Sequence, residues 1–336
     1  MLKYLVITLA TVLFFSSCNH DHATGNEDNP AYHNPAVQPY TDSIAANPEH
    51  AEYYYRRAEA LNDIHQDSLA LSDVQKALSL DPNNAQYTFT AGYLQLQLGL
   101  EKEAIKTLSK NLEQTPGHVN TRMLLSKAYL ADAKIKEAQE QVDKILAAAP
   151  RHPGALMILA DIKAAQKDTT GAINVLREII ATDHSNYEAS YQLGDWYKAT
   201  NNPAAVAQYH YTFSLDTNDV NPLFEIGDYY ERQNQPQKAK DAFIYCIGKD
   251  RDFTEAYIRL GKIYLGEKAT DKALRHFNLA IHTMPNNAEA YYYKGLCFER
   301  LQQRDSAAVA YRQALTFDSD MKAAHDALSK LGKGKG

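Results

Sequence analysis

Residues 254–287 read TEAYIRLGKIYLGEKATDKALRHFNLAIHTMPNN. Tyr257, Leu260, Gly261 and Tyr264 fall at i, i+3, i+4 and i+7, the spacing of one face of an α-helix. Ala273, Phe277 and Ala280 form a second such series, and Pro285 closes the stretch. The spacing predicts two short amphipathic helices. Thr270 and Asp271 lie between them as the predicted N-cap of the second, since a short side-chain oxygen there satisfies orphan backbone donors. The unit is a helical hairpin.

The same template recurs about every 34 residues, with repeats over 51–84, 85–118, 119–152, 153–186, 187–219, 220–253, 254–287 and 288–321. The eighth position reads Ala58, Gly92, Ser126, Ala160, Gly194, Gly227, Gly261 and Gly295. Nothing larger than a hydroxymethyl group occurs there, so something must pack against that spot. Ala70, Ala104, Ala138, Ala172, Ala205, Ala239, Ala273 and Ala307 make a second small column on the second helix. Two small columns let the paired helices approach closely, and Phe243, Phe277 and Tyr311, four positions later, are expected to fill the space between neighbouring hairpins. The fifth repeat is one residue short, and the loss is placed in the turn Thr200, Asn201, Asn202, Pro203, where Asn202 can cap and Pro203 suits the first helical position.

These columns resemble the tetratricopeptide repeat family, whose 34-residue unit has this small, aromatic, alanine and terminal-proline arrangement. The resemblance implies an all-α fold, a superhelical solenoid of about eight helix-turn-helix repeats with short terminal caps over residues 40–331. The closing proline stands at Pro82, Pro116, Pro150 and Pro285 and is replaced by His184, Thr217, Arg251 and Ser319. Arg57 and Lys294 occupy a usually apolar column in the first and last repeats, as suits end units that face water on one side. Residues 40–47 are expected to form an N-terminal cap helix and residues 322–331 a C-terminal one, through Ala324, Leu328 and Leu331.

The chain is 45% hydrophobic and 23% charged, with a net charge of -6, ordinary values for a globular protein. An acidic balance without a basic stretch argues against nucleic acid as a partner. No Gly-rich phosphate loop, nucleophile elbow or metal-spaced His/Cys set appears, so neither an enzyme nor a cofactor is expected. His20, Asp21, His22 and His33 read as solvated linker residues, since a zinc site needs three or four fixed ligands. Cys246 and Cys297 fall in apolar columns and read as packing residues, too far apart in the repeat order for a disulfide. Trp196 shares the column of Cys297 and also reads as core.

The N-terminus has one basic residue, Lys3, then an apolar run from Tyr4 to Phe15, too short for a membrane span and laid out as a signal peptide over residues 1–17. Phe15, Ser16, Ser17 and Cys18 resemble the lipobox of bacterial lipoproteins, which implies lipid attachment at Cys18 and anchoring in the cell envelope at the outer membrane, the displaying face left open. The alternative is a secretory signal with an incidental cysteine. Residues 18–39, punctuated by Pro30, Pro35 and Pro39, are expected to be a disordered tether, and residues 332–336 a frayed tail.

In the resembled family the first helices line the concave side. Carried to this chain, the fifth position reads Tyr55, Phe89, Met123, Met157, Tyr191, Phe224, Ile258 and Tyr292, all large and apolar. The ninth adds Asp161, Asp195 and Asp228 in succession, then Lys262. An exposed apolar ladder of this kind marks a partner site, so the expected function is a non-enzymatic scaffold binding extended peptide or protein segments of the cell envelope, with apolar anchors and a basic or amide-rich backbone. The carboxylate-clamp pattern of chaperone-binding relatives is not matched, because Tyr55 and Glu59 stand where Lys and Asn are needed. Two other readings stay open: the ladder is partly covered and the aspartates are a solvated face, or the 23 tyrosines serve a surface lipoprotein that captures glycans for uptake.

Overall fold

A computed structural model describes residues 29–333. The signal peptide, Cys18, His20, Asp21, His22 and the first part of the expected tether lie outside the described residues. Two compact units are separated between Gln141 and Val142. All regular structure among the described residues is helical.

The first unit opens with a short 3-10 helix (η1, Pro30–His33) and α1 (Gln38–Ala46). The hairpins α2 (Ala51–Asp63) with α3 (Asp67–Leu80), and α4 (Ala85–Gln97) with α5 (Glu101–Gln114), follow, then α6 (Val119–Ala131). The boundary falls within α7 (Ile135–Ala148). The second unit contains the hairpins α8 (Pro153–Ala165) with α9 (Thr169–Thr182), α10 (Tyr187–Ala199) with α11 (Ala204–Leu215), α12 (Asn221–Arg232) with α13 (Pro236–Lys249), α14 (Thr254–Gly266) with α15 (Thr270–Thr283), and α16 (Ala288–Arg300) with α17 (Arg304–Phe317), closed by α18 (Lys322–Lys333). Within each unit a second helix packs both on its own partner and on the first helix of the next hairpin.

A left-handed residue ends each first helix. His65, Gly99, Ala133, Lys167, Asn201, Asn234, Lys268 and Gln302 all have positive φ. In the last-but-one hairpin the Lys268 N–H donates to the Leu265 carbonyl at 3.1 Å and the Ala269 N–H to the Tyr264 carbonyl at 2.9 Å. The paired bonds satisfy carbonyls that the helix end leaves open and reverse the chain in three residues. Thr270 is the first residue of α15 and the cap position is Ala269, without a side-chain bond, so the expected Thr270 or Asp271 cap is corrected. Asn202 Oδ1 accepts the Ala204 N–H at 3.0 Å, but the cap position of α11 is Pro203, expected one place later as the first helical residue. The missing residue of the fifth repeat lies between Asn201 and Ala205, and α11 has 12 residues where α9 and α13 have 14.

The alanine column is wholly buried. The eighth-position column has a different cause from the one expected. A Cβ added at Gly261 would lie 2.6 Å from Phe277 Cε1, one at Gly194 would lie 2.6 Å from Tyr209 Cε1, and one at Gly92 would lie 2.5 Å from Leu108. Each pair belongs to one hairpin. Phe243, Phe277 and Tyr311 thus fill the seam inside their own hairpins, over Gly227, Gly261 and Gly295. Where the eighth position is Ala58 or Ala160, the side chain sixteen residues on is the aliphatic Val74 or Leu176. Every ring in the seam faces a glycine, whereas the aliphatic Val74 and Leu176 face alanine and the aliphatic Leu108 faces Gly92, because packed interiors leave no spare room.

The seventh position also departs from expectation. Arg57 is buried, not turned to water; its Nε and Nη2 donate to Asp73 at 2.7 and 2.8 Å. Burial opposes the Arg57 charge, yet the bonds to Asp73 hold the guanidinium above its ordinary pKa. Tyr32 covers the pair, with the guanidinium carbon 4.2 Å from its ring centre. Residues 29–39 are therefore structured and docked on the first hairpin, a correction to the disordered tether. Tyr32 and Val37 are buried there. Pro30 and Pro39 sit in the first turn of η1 and α1, where a missing N–H costs nothing. His33 Nδ1 lies 3.2 Å from Gln38 Oε1.

Cys246 and Cys297 are buried, unpaired thiols, pushed up by burial to about 12 and about 11. Trp196 is only partly buried against the core of the second unit, and its neighbour Tyr197 takes the interior place. No helix among the described residues is long and apolar enough to cross a membrane.

Candidate functional site

The fifth-position residues are carried on the first helices at the point where those helices meet their partners. In the first unit Tyr55 is buried, 3% exposed, stacked on Tyr87 at 4.8 Å, and its hydroxyl accepts from Gln86 Nε2 at 3.0 Å. Tyr87 in turn donates to Glu52 Oε2 at 2.8 Å, and burial together with that carboxylate pushes its hydroxyl up to about 12. Phe89 and Met123 are half-buried, Phe89 edge-on to His118 at 5.3 Å.

In the second unit Ile258 is buried, 4% exposed, while Met157, Tyr191, Phe224 and Tyr292 are half-buried. Three of these rings lean on the seam aromatics just described. Tyr191 meets Tyr209 at 5.9 Å, Phe224 meets Phe243 at 5.3 Å, and Tyr292 meets Tyr311 at 5.7 Å. The expected exposed ladder is accordingly corrected to a half-open one: one side of each ring closes the hairpin seam and the other remains accessible. Tyr55 and Ile258 are closed off altogether, Tyr55 against Tyr87 of the next hairpin and Ile258 in the core of its own unit.

The aspartates are not vacant carboxylates. Asp195 accepts from the Tyr209 hydroxyl at 2.6 Å. Asp228 accepts from Arg259 Nη2 at 2.8 Å, from Arg232 Nε at 2.9 Å, and lies 3.4 Å from Lys198 Nζ. Lys198 also pairs with Glu225, and Arg259 with Glu231. Four carboxylates therefore meet three cations across α10, α12 and α14. Burial pushes the Asp228 carboxyl up, but Lys198, Arg232 and Arg259 together outweigh it and hold the group below the usual carboxylate range. Lys262 bonds Glu289 at 3.2 Å, carrying the same pattern from α14 to α16. Asp161, on α8, is exposed. A ligand with free basic groups would have to displace Lys198 or an arginine, so apolar contact is the face's more available chemistry.

Sequence reasoning missed Lys198, Glu225, Glu231 and Arg259. Their signal was present in the opposite signs at the sixth, ninth and twelfth positions of successive repeats, which become neighbours only when adjacent first helices are laid side by side. Among the described residues no group of three or more His, Cys, Asp or Glu side chains is placed to hold a metal ion.

Three segments match tetratricopeptide repeat family models: residues 102–162, 224–288 and 289–317. The tetratricopeptide repeat domain-containing protein PYG7, chloroplastic, of Arabidopsis thaliana is 32% identical over 93 residues, which make up 26% of this chain and 31% of that protein. The match thus spans less than a third of its relative's length. Among solved structures, the C-terminal part of a TPR repeat-containing protein from Cytophaga hutchinsonii has a TM-score of 0.56 at 18% identity, covering 71% of this chain and 99% of that one. A tetratricopeptide repeat protein from Parabacteroides merdae ATCC 43184 has a TM-score of 0.48 at 15% identity, with 74% and 98% covered. The matched segments are similar to tetratricopeptide repeats, the paired helices and small-residue seams of the other hairpins agree with them, and this fold supports contact between proteins.

Proposed function

We propose that this protein is a non-enzymatic scaffold of the bacterial cell envelope, anchored by lipid at Cys18, that takes extended protein segments on the face of its first helices. The observation that carries the binding part is the half-open row of Met157, Tyr191, Phe224 and Tyr292 in the second unit. Each side chain is fixed from behind by a seam residue or neighbouring core, so little rotamer freedom is left to lose when a partner covers it. The ion-pair network beside the row orients a segment by its charges and excludes mismatched ones, a contribution to specificity more than to affinity.

Anchoring rests on the apolar leader and the lipobox-like residues before Cys18. A diacylated cysteine holds a protein on a membrane stably where one chain would not. The test combines two variants in cells. Cys18→Ser should move the protein from the membrane to the soluble fraction and abolish incorporation of labelled palmitate. Tyr191→Ala with Tyr292→Ala should keep the membrane location and the helical circular dichroism while reducing crosslinks to envelope proteins. Unchanged crosslinking would refute the binding face, and continued membrane retention of the serine variant would refute the anchor.

A further inference from the structure

The repeat position that Asp73 holds in the first hairpin is His276 in the seventh and a neutral side chain in every other. Asp73 is buried against Arg57, sixteen residues before it. Sixteen residues before His276 stands Leu260, which has no polar side-chain atom to offer. His276 Nδ1 is shut off from solvent and makes no hydrogen bond among the described residues. Its ring lies instead against two aromatic side chains of α14, stacked on Tyr264 at 5.3 Å and 11° and tilted to Tyr257 at 6.3 Å.

The charge around this ring is of one sign. Lys240 Nζ of α13 and Lys272 Nζ of α15 lie 5.2 and 5.5 Å from the centre of the Tyr264 ring on which His276 stacks, and Arg275 is the adjacent residue. The carboxylate at this corner, Glu267, is bonded by Lys240 at 2.7 Å. Asp250, Arg251 and Asp252, in the turn before α14, act on Tyr257. Glu255 of α14 and Asp271 of α15 are exposed in the first turns of their helices. On α16, which packs against α15, Lys262 takes Glu289, the Leu265 carbonyl takes Arg300, Glu299 acts on Tyr311 and Lys294 rests by Phe298. Burial, and after it the Arg275 charge, hold the imidazole below its ordinary pKa, with no carboxylate opposing them.

We propose that His276 is a proton-triggered release of the seventh hairpin: the neutral ring closes α15 on α14, and the protonated ring drives them apart. An imidazolium carries a donor on both nitrogens, so Nδ1 would become an N–H at a buried spot with no acceptor, beside three other positive groups. α14 also carries Arg259 and Lys262 of the first-helix network, so acid would loosen that face without neutralising its own ion pairs. The device works whatever the face binds. The folded chain takes up this proton less readily than the unfolded chain does. Its stability is therefore whole above the ordinary histidine range and falls as the pH drops through that range, before most carboxylates titrate.

Hydrogen exchange of the full chain, read by mass spectrometry at about pH 7.5 and about pH 5.5 and corrected for intrinsic rates, follows the hairpin directly. Peptides from 254–283 should lose protection several-fold at the lower pH, while those from α8 and α9, which contain no histidine, keep theirs. His276→Phe retains an aromatic ring for the Tyr264 stack but takes up no proton, and it should abolish the loss. Lys272→Gln with Arg275→Gln leaves the imidazole in place, removes two of the three neighbouring charges and should shrink the loss, a comparison that stands even where the phenylalanine variant does not fold. In proton NMR the His276 ring should titrate at lower pH in the folded chain than in urea. Constant protection of 254–283 in the parent, a loss that persists in His276→Phe or is undiminished in the glutamine pair, or a folded-state titration at or above that in urea overturns the proposal.

Discussion

Arg57 and Lys294 fill the same column of the repeat, one in the first hairpin and one in the last, and the two ends of the chain treat them differently. Arg57 is enclosed: its planar fork meets both oxygens of Asp73, and the Tyr32 ring closes over it. Lys294 is half-buried, with its ammonium 6.0 Å from the Phe298 ring and no carboxylate within ion-pair distance among the described residues. Burial lowers its pKa. The contrast follows from what stands sixteen residues on, which is Asp73 for Arg57 and Ala310 for Lys294. A guanidinium can be buried against a carboxylate because two fixed bonds satisfy it, whereas an ammonium on a flexible stem can bury its methylenes and leave its charge near water. The lesson is that an unusual polar residue in an end repeat is not by itself a sign of exposure; its partner across the hairpin decides.

The largest expected effect tests that partner directly. Arg57→Met leaves Asp73 buried without a counter-charge and should destabilise the first unit by about 3–5 kcal/mol, whereas Arg57→Met combined with Asp73→Leu should restore most of the loss. Urea titration followed by circular dichroism measures both, and an equally large loss in the double variant would show that the site depends on volume and not on charge. The same sixteen-residue relation in apolar form gives a middle effect. Gly261→Leu forces a side chain into the Phe277 ring and should cost about 1–3 kcal/mol. Gln237→Leu, in the exposed first turn of α13, should cost little, and equal losses for the two would mean that the seam is not the tight contact described. The smallest effect belongs to Lys294→Met, expected to stay within about 0.5 kcal/mol of the parent. A loss comparable to that of Arg57→Met would erase the distinction between the two ends.

Periodicity made the hairpins legible because a 34-residue column leaves the same chemistry at the same place in every repeat, as with Ala70 to Ala307. What the columns could not show was which column faces which. Phe243, Phe277 and Tyr311 were expected between hairpins, although each lies sixteen residues after the glycine it covers, and Arg57 stands in the same relation to Asp73. One offset explains both, but it is a property of the folded hairpin and becomes visible only once one member of each kind is seen in contact. The N-terminal segment was misread for a different reason. Pro30, Pro35 and Pro39 are as compatible with a tether as with two helix starts, and only the burial of Tyr32 and Val37 separates the readings. At the candidate face the residue identities were legible and their exposure was not: Tyr191, Phe224 and Tyr292 are apolar in either case, but the rings behind them decide how much of each remains open.

The two buried thiols have a use that their packing role does not suggest. Cys246 and Cys297 sit in separate hairpins of the second unit, each kept from ionising by its surroundings. A reagent that attacks thiolate will therefore find each sulfur only when its own hairpin opens, and the ratio of the two labelling rates reports whether the unit unzips from one end or comes apart at once. The chain carries its own clocks for that question, and no probe has to be introduced to read them.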